Sequence, residues 1–145
     1  KIYDKLEVEK IKDVSIKELK KCKIELDDDI IKKSLESNSL SGDFEIIYHA
    51  FFNVEKDAFP VQYLDRKKYK YWLNNKWNID IDGTYIKDVF VCILNSCYLR
   101  YNKYERYENN TDMYIKNQEY ISNMGNDEKY KTRLLTHIKN YINNV

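Results

Sequence analysis

Residues 43–77 read DFEIIYHAFFNVEKDAFPVQYLDRKKYKYWLNNKW, and the architecture hangs on the period of this run. Phe44, Ile47, Tyr48, Phe51 and Ala58 fall on one stripe at helical spacing, and Phe52 and Phe59 widen it. Pro60 is the only proline of the chain. It lacks an N–H and clashes with the preceding turn, so it ends or kinks the helix. Beyond it, Val61, Leu64, Lys68, Tyr71 and Trp72 continue a helical face to about Asn75. The first half, Phe44 to Phe59, is expected to be core. The second half, Val61 to Trp77, carries a positive pole.

The flanks extend the helical pattern. Residues 1–14 form a charged lead-in with sparse apolar positions. Ser15-Ile-Lys-Glu18 has the form of a capping box, in which the Ser15 hydroxyl takes the Glu18 amide. It opens a short helix to about Ile24. Asp27–Asp29 favour a second short helix through capping and the helix dipole, and residues 37–42 are expected as a turn. Downstream, Asn78 to Gly83 reads as a loop and Thr84 as the cap of a long helix to about Tyr107. Ile86, Val89, Phe90, Ile93, Leu94, Cys97 and Tyr101 are its inward face. A helix from Asp112 to about Met124, ended by Gly125, and another from about Asp127 to Asn143 complete the chain. The expected fold is all-α, a helical bundle of three or four long helices with short N-terminal helices, in one domain spanning 15–145.

Composition supports this reading. Three glycines and one proline among 145 residues are few for a sandwich or barrel built on tight turns, and 34% charged residues suit amphipathic helices with solvated outer faces. The bias toward Lys, Asn, Ile and Tyr carries the imprint of an AT-rich genome. Net charge is only +1, which argues against a dedicated nucleic-acid binder, yet the charge is polarised. Residues 25–45 hold seven acids against Lys32 and Lys33, whereas residues 61–78 hold Arg66, Lys67, Lys68, Lys70 and Lys76 against Asp65. Cys22, Cys92 and Cys97 are an odd set, and Cys92 and Cys97 lie about 140° apart on a helix, so a reducing compartment is the simpler expectation. No run approaches the ~18 apolar residues of a membrane span.

The residues that usually carry catalysis are sparse. Asn78-Ile-Asp80-Ile-Asp82-Gly83 matches the first half of an EF-hand loop, but position twelve falls on Val89 instead of a bidentate Glu. His49 and His137 are far apart in sequence, and Glu45–His49 forms a lone i,i+4 pair. The glycines are isolated, which excludes a phosphate-binding loop. The tyrosines at 98, 101, 104 and 107 wind around a helix, two toward the core and two at its edge. No catalytic residue, metal or cofactor is expected. The functional candidate is the basic aromatic segment, with Arg66, Lys67, Lys68, Tyr69, Lys70 and Lys76 as partner-binding residues. On a helix Arg66, Tyr69 and Lys70 share an outer face, while Tyr71 and Trp72 turn inward or sideways. Such a face suits an acidic peptide, phosphate or anionic lipid headgroups, or pairs internally with the acidic pole at Asp27–Asp29.

The order Ser15-Ile-Lys-Glu-Leu19, a short acidic helix, Asp43-Phe-Glu-Ile-Ile-Tyr48-His49, Glu55-Lys56-Asp57-Ala58-Phe59, Leu73 and Lys76-Trp77-Asn78-Ile79 resembles the PHIST (PRESAN) domain of malaria-parasite exported proteins. The resemblance implies an exported protein working in the host red cell. It also implies a non-enzymatic adaptor that binds the acidic cytoplasmic segment of a surface adhesin, or the host membrane skeleton. The alternative is a helical RNA-binding protein of a parasite stage, its lysines on phosphates and its tyrosines stacking bases. That alternative implies an intracellular location.

Overall fold

The structure is a computed structural model that describes residues 11–20, 26–104 and 111–145. Its helices are α1 (Lys17–Lys20), α2 (Asp28–Ser37), α3 (Leu40–Ile47), α4 (Thr84–Tyr104), α5 (Thr111–Met124) and α6 (Glu128–Asn144). Between α3 and α4 lie three strands, β1 (Val61–Asp65), β2 (Lys68–Leu73) and β3 (Lys76–Ile81), in an antiparallel meander of order β1-β2-β3. The expectation of an all-α bundle is therefore overturned. The helix foreseen over Val61 to Asn75 is a pair of strands, and the loop foreseen at Asn78 to Gly83 begins as a third.

The cause is local backbone geometry. Arg66 and Lys67 have φ of 46° and 65°, and Asn74 and Asn75 have φ of 55° and 61°. Two successive left-handed residues make the tight turn whose twist matches that of the flanking strands. Asn adopts that conformation at little cost, and Arg and Lys do so with more strain. The alternation Lys68-Tyr69-Lys70-Tyr71-Trp72 then has the period of a strand. Pairing runs from Val61↔Tyr71 to Tyr63↔Tyr69, slips at Leu64 to give Asp65↔Lys68, and runs unbroken from Lys68↔Ile81 to Leu73↔Lys76.

Pro60 acts here as a sheet residue. In regular pairing its amide would donate to the Trp72 carbonyl, but proline has no N–H. Trp72 N–H donates to Pro60 C=O at 2.8 Å, and the vacant carbonyl of Trp72 accepts from Val14 N–H, also at 2.8 Å. Val14 is fully buried, and its own carbonyl accepts from the Tyr85 hydroxyl at 2.8 Å. Val14 is thus stitched into the sheet at the place where proline leaves a gap.

Two helix starts follow the sequence closely. Asp27 caps α2 by accepting from Asp29 N–H, Asp127 caps α6 by accepting from Tyr130 N–H, and α5 stops at Met124 as expected. Ser15 Oγ accepts from Lys17 N–H instead of the Glu18 amide. Of residues 37–42, foreseen as a turn, only Asn38 and Ser39 separate the helices; Leu40 to Gly42 belong to α3, capped by Ser39 Oγ on Gly42 N–H at 3.1 Å. A Cβ at Gly42 would lie 2.0 Å from Ser37 Oγ and 3.0 Å from Ser34 C=O, so glycine lets α3 fold back tightly on α2. The helix stops far short of Phe59: a π-helical turn covers Tyr48–Phe52, and Phe59 is extended (φ −62°, ψ 127°), as the residue before proline tends to be. The ends of the helices expected to reach Ile24 and Tyr107 lie outside the described residues, as do Cys22 and Tyr107.

α4 is the central element and buries Ile86, Phe90, Val91, Ile93, Leu94, Cys97 and Tyr98. Phe51, Phe52, Phe59 and Phe90 are buried together, with Phe52 to Phe59 centroids at 5.1 Å and Phe51 to Phe90 at 5.2 Å. This agrees with the expectation that Phe44 to Phe59 serves the core. Each such ring stabilises the fold by about 1.5–3 kcal/mol through burial. A polar cluster interrupts this core. Asp43 of α3 is 0% exposed. Its carboxylate accepts from the hydroxyls of Tyr98 on α4 at 2.5 Å, Tyr130 on α6 at 2.5 Å, and Tyr120 on α5. Burial holds the Asp43 carboxyl above its usual range, and the three phenols pull it only partly back.

Candidate functional site

The sheet has one face on the helices and one that looks outward. On the inner face Val61, Tyr69 and Asp80 are buried, Tyr63 and Tyr69 rings meet at 5.0 Å, and Tyr71 stacks on Tyr85 of α4 at 4.3 Å. Asp80 accepts from Tyr85 N–H at 3.2 Å and Ile86 N–H at 2.9 Å. It thereby satisfies two free amides at the start of α4. That carboxylate is committed to the helix. The half EF-hand pattern is accordingly a strand and a cap, and the described residues hold no group of three or more His, Cys, Asp or Glu that could bind a metal.

Side chains alternate along a strand, so the outer face carries Gln62, Lys68, Lys70, Trp72, Trp77, Ile79 and Ile81. An antiparallel sheet open to water on one side normally shows polar residues there. Here Ile79 is 59% and Ile81 56% exposed, with Leu64 at the bulge 44% exposed. Trp72 packs edge-on to Trp77 at 5.3 Å, and Lys70 Nζ lies 4.5 Å above the Trp77 ring. This cation–π contact holds the ammonium beside the indoles without neutralising it. Among the described residues no ion pair engages Arg66, Lys67, Lys68, Lys70 or Lys76, so the pairing foreseen with Asp27–Asp29 does not occur.

The structure divides the six expected partner-binding residues. Lys68 and Lys70 share the outer face with the indoles. Arg66 and Lys67 are exposed in the β1–β2 turn, and Lys76 is exposed where β3 begins. Tyr69 is corrected: it points inward at 4% exposure, and burial, then Tyr63 and Asp80, push its phenol up to about 12. Helical spacing had joined Arg66, Tyr69 and Lys70, whereas strand spacing separates Tyr69 from Lys70. The sequence reading missed Trp72, Trp77, Ile79 and Ile81 as an outward set. The signal was present in the two-residue step Asn74-Asn75 between alternating segments.

Other candidates are accounted for. His49 Nε2 lies 3.7 Å from Glu45 at the surface, and His137 packs on Phe44 at 4.6 Å. Cys97 is buried, its thiol pushed up to about 11 mainly by burial. Tyr98 is core and Tyr101 half-buried. No helix among the described residues is long and apolar enough to cross a membrane. Comparisons of the chain with protein-family models, curated proteins and solved structures gave no match.

Proposed function

We propose that this chain is a non-enzymatic protein-interaction module that takes up an acidic protein segment on the outer face of its sheet. The observation that supports this reading is the grouping of exposed Ile79 and Ile81 with Trp72, Trp77, and Lys68 and Lys70, which make no ion pair among the described residues. Contiguous exposed apolar surface next to free positive charge matches a segment that alternates apolar and acidic residues. The PHIST resemblance supplies a context: export to the host red cell, with an adhesin's acidic cytoplasmic segment or a membrane-skeleton protein as partner. A synthetic acidic peptide with interspersed Leu and Phe is expected to bind with micromolar affinity that falls with salt. Lys68→Glu/Lys70→Glu abolishes this binding, and Trp72→Ala weakens it about tenfold or more. Undiminished binding by the double charge reversal removes the face from this role.

The open face bearing two indoles and two lysines also favours a second reading, single-stranded RNA stacked on Trp72 and Trp77. A net charge of +1 and the Lys70 ammonium over one face of Trp77 count against it. Titration of oligo-uridine against salt separates the two, because phosphate contacts give a steep slope of log affinity on log salt.

A further inference from the structure

The free edge of β3 is self-complementary. In an antiparallel sheet the N–H and C=O of one residue point to the same side, and the side alternates along the strand. Trp72 directs both toward the β1 side, to Pro60 and Val14. Tyr69, Tyr71 and Leu73 therefore face β3, and their partners Asp80, Asn78 and Lys76 face back. The bond from Asp82 N–H to Lys67 C=O at 2.7 Å continues this alternation. Trp77, Ile79 and Ile81 are left with backbone groups directed away from the sheet. Among the described residues the only bond to these outward groups is a long one, 3.5 Å, from Thr84 Oγ1 to Ile81 C=O. β1, by contrast, packs along α6 and buries Val61.

From this geometry we infer that β3 pairs antiparallel with β3 of a second copy of the chain, centred on Ile79, joining two three-stranded sheets into one. In that register Ile79 faces the partner subunit's Ile79, and Trp77 faces the partner subunit's Ile81. Each of these pairs exchanges both of its backbone bonds. At the ends of the pairing Lys76 comes beside the partner subunit's Asp82, which follows β3 in the turn before α4 (φ 61°), and both are exposed. Asn78 faces the partner subunit's Asp80, so no like charges oppose one another anywhere along the strand. Edge strands that remain single are usually blunted by proline, by outward charge or by cover. Among the described residues β3 has none of these at its outward residues Trp77, Ile79 and Ile81. The pairing also places the outer apolar faces of two copies side by side.

The inference shares Trp77, Ile79 and Ile81 with the segment-binding face, but Lys68 and Lys70 sit on the central strand, so the two are read with different variants. A single strand pairing buries less than the ~1,200 Å² of stable complexes, so a dissociation constant on the order of 100 μM is expected. Sedimentation equilibrium between about 10 μM and 1 mM should show monomer and dimer in exchange. Ile79→Lys sets two lysines opposite each other and leaves a monomer throughout, with circular dichroism unchanged because this side chain is 59% exposed. Lys76→Glu and Asp82→Lys each weaken the dimer about tenfold, and an equimolar mixture of the two variants restores it, since the heterodimer carries only opposite pairs. Monomer alone at 1 mM, a dimer indifferent to Ile79→Lys, or no recovery in the mixture overturns the proposal. Lys68→Glu/Lys70→Glu leaves dimerisation intact, so loss of segment binding in that variant is read separately.

Discussion

Replacing Asp43 by alanine should be the most damaging polar substitution in this core. The carboxylate accepts three phenol hydroxyls that belong to three different helices. Its removal strands the hydroxyl of Tyr98, which is fully buried, at about 2 kcal/mol. Tyr120 and Tyr130 retain partial access to water, and each loses about 1 kcal/mol. The small void adds about 1 kcal/mol. Relief from burying a charge whose carboxyl is already raised returns part of this. The net loss is about 3–4 kcal/mol, a large share of the ~5–15 kcal/mol that holds a typical domain. Urea unfolding followed by circular dichroism reads it as a lower midpoint at unchanged slope. Tyr98→Phe supplies the decisive cycle. In the native background it should cost about 1–1.5 kcal/mol, as one bond to the carboxylate is lost. In the Asp43→Ala background it should be neutral or stabilising, because it removes a stranded donor. Additive effects, or a loss below about 1 kcal/mol for Asp43→Ala, would refute the view that this carboxylate fastens the four helices together.

Asn75→Gly should stabilise the protein by about 0.5–1 kcal/mol and Asn75→Ala should destabilise it by a similar amount, because residue 75 has φ of 61°, where glycine is at ease and alanine is not; thermal melts report both. At high pH the buried phenols weaken the fold. The unfolded Tyr69 ionises near 10 and the folded one near about 12, so the native state holds more protons in that window. Stability falls there as pH rises, with about 1.4 kcal/mol per unit, the value for a full proton difference, as the ceiling for this residue between pH 10 and 12. Tyr98, Tyr120 and Tyr130 are raised in the same direction by burial and Asp43, so the decline steepens. Urea midpoints that do not change between pH 9 and 11 would contradict it.

Several elements were legible before any tertiary contact was known. Asp27 and Asp127 mark helix starts because their carboxylates can reach amides two or three residues on. α4 and α6 are legible from apolar spacing sustained over several turns. Residues 61–77 were not legible from spacing alone, since Val61, Leu64, Lys68, Tyr71 and Trp72 satisfy a helical stripe while the neighbouring residues alternate. What decides between the periods is Arg66-Lys67 and Asn74-Asn75 in left-handed conformation, adopted without glycine, and held by cross-strand pairing that no local window contains.

The candidate site divides along the same line. Sequence alone located its charge, since the excess of lysine between residues 61 and 78 is a property of composition. It could not assign the faces. One change of period sends Tyr69 into the core and brings Trp72, Trp77, Ile79 and Ile81 out beside Lys68 and Lys70. Likewise, nothing near Asp43 in the sequence sets it apart from the other acids of residues 25–45, and only the packing of α4, α5 and α6 around α3 brings three phenols to it. Caps and apolar stripes are encoded within a few residues of one another. Strand pairing, the outward face and the Asp43 cluster depend on residues as far as 87 positions apart in the chain, and only the folded arrangement brings those together.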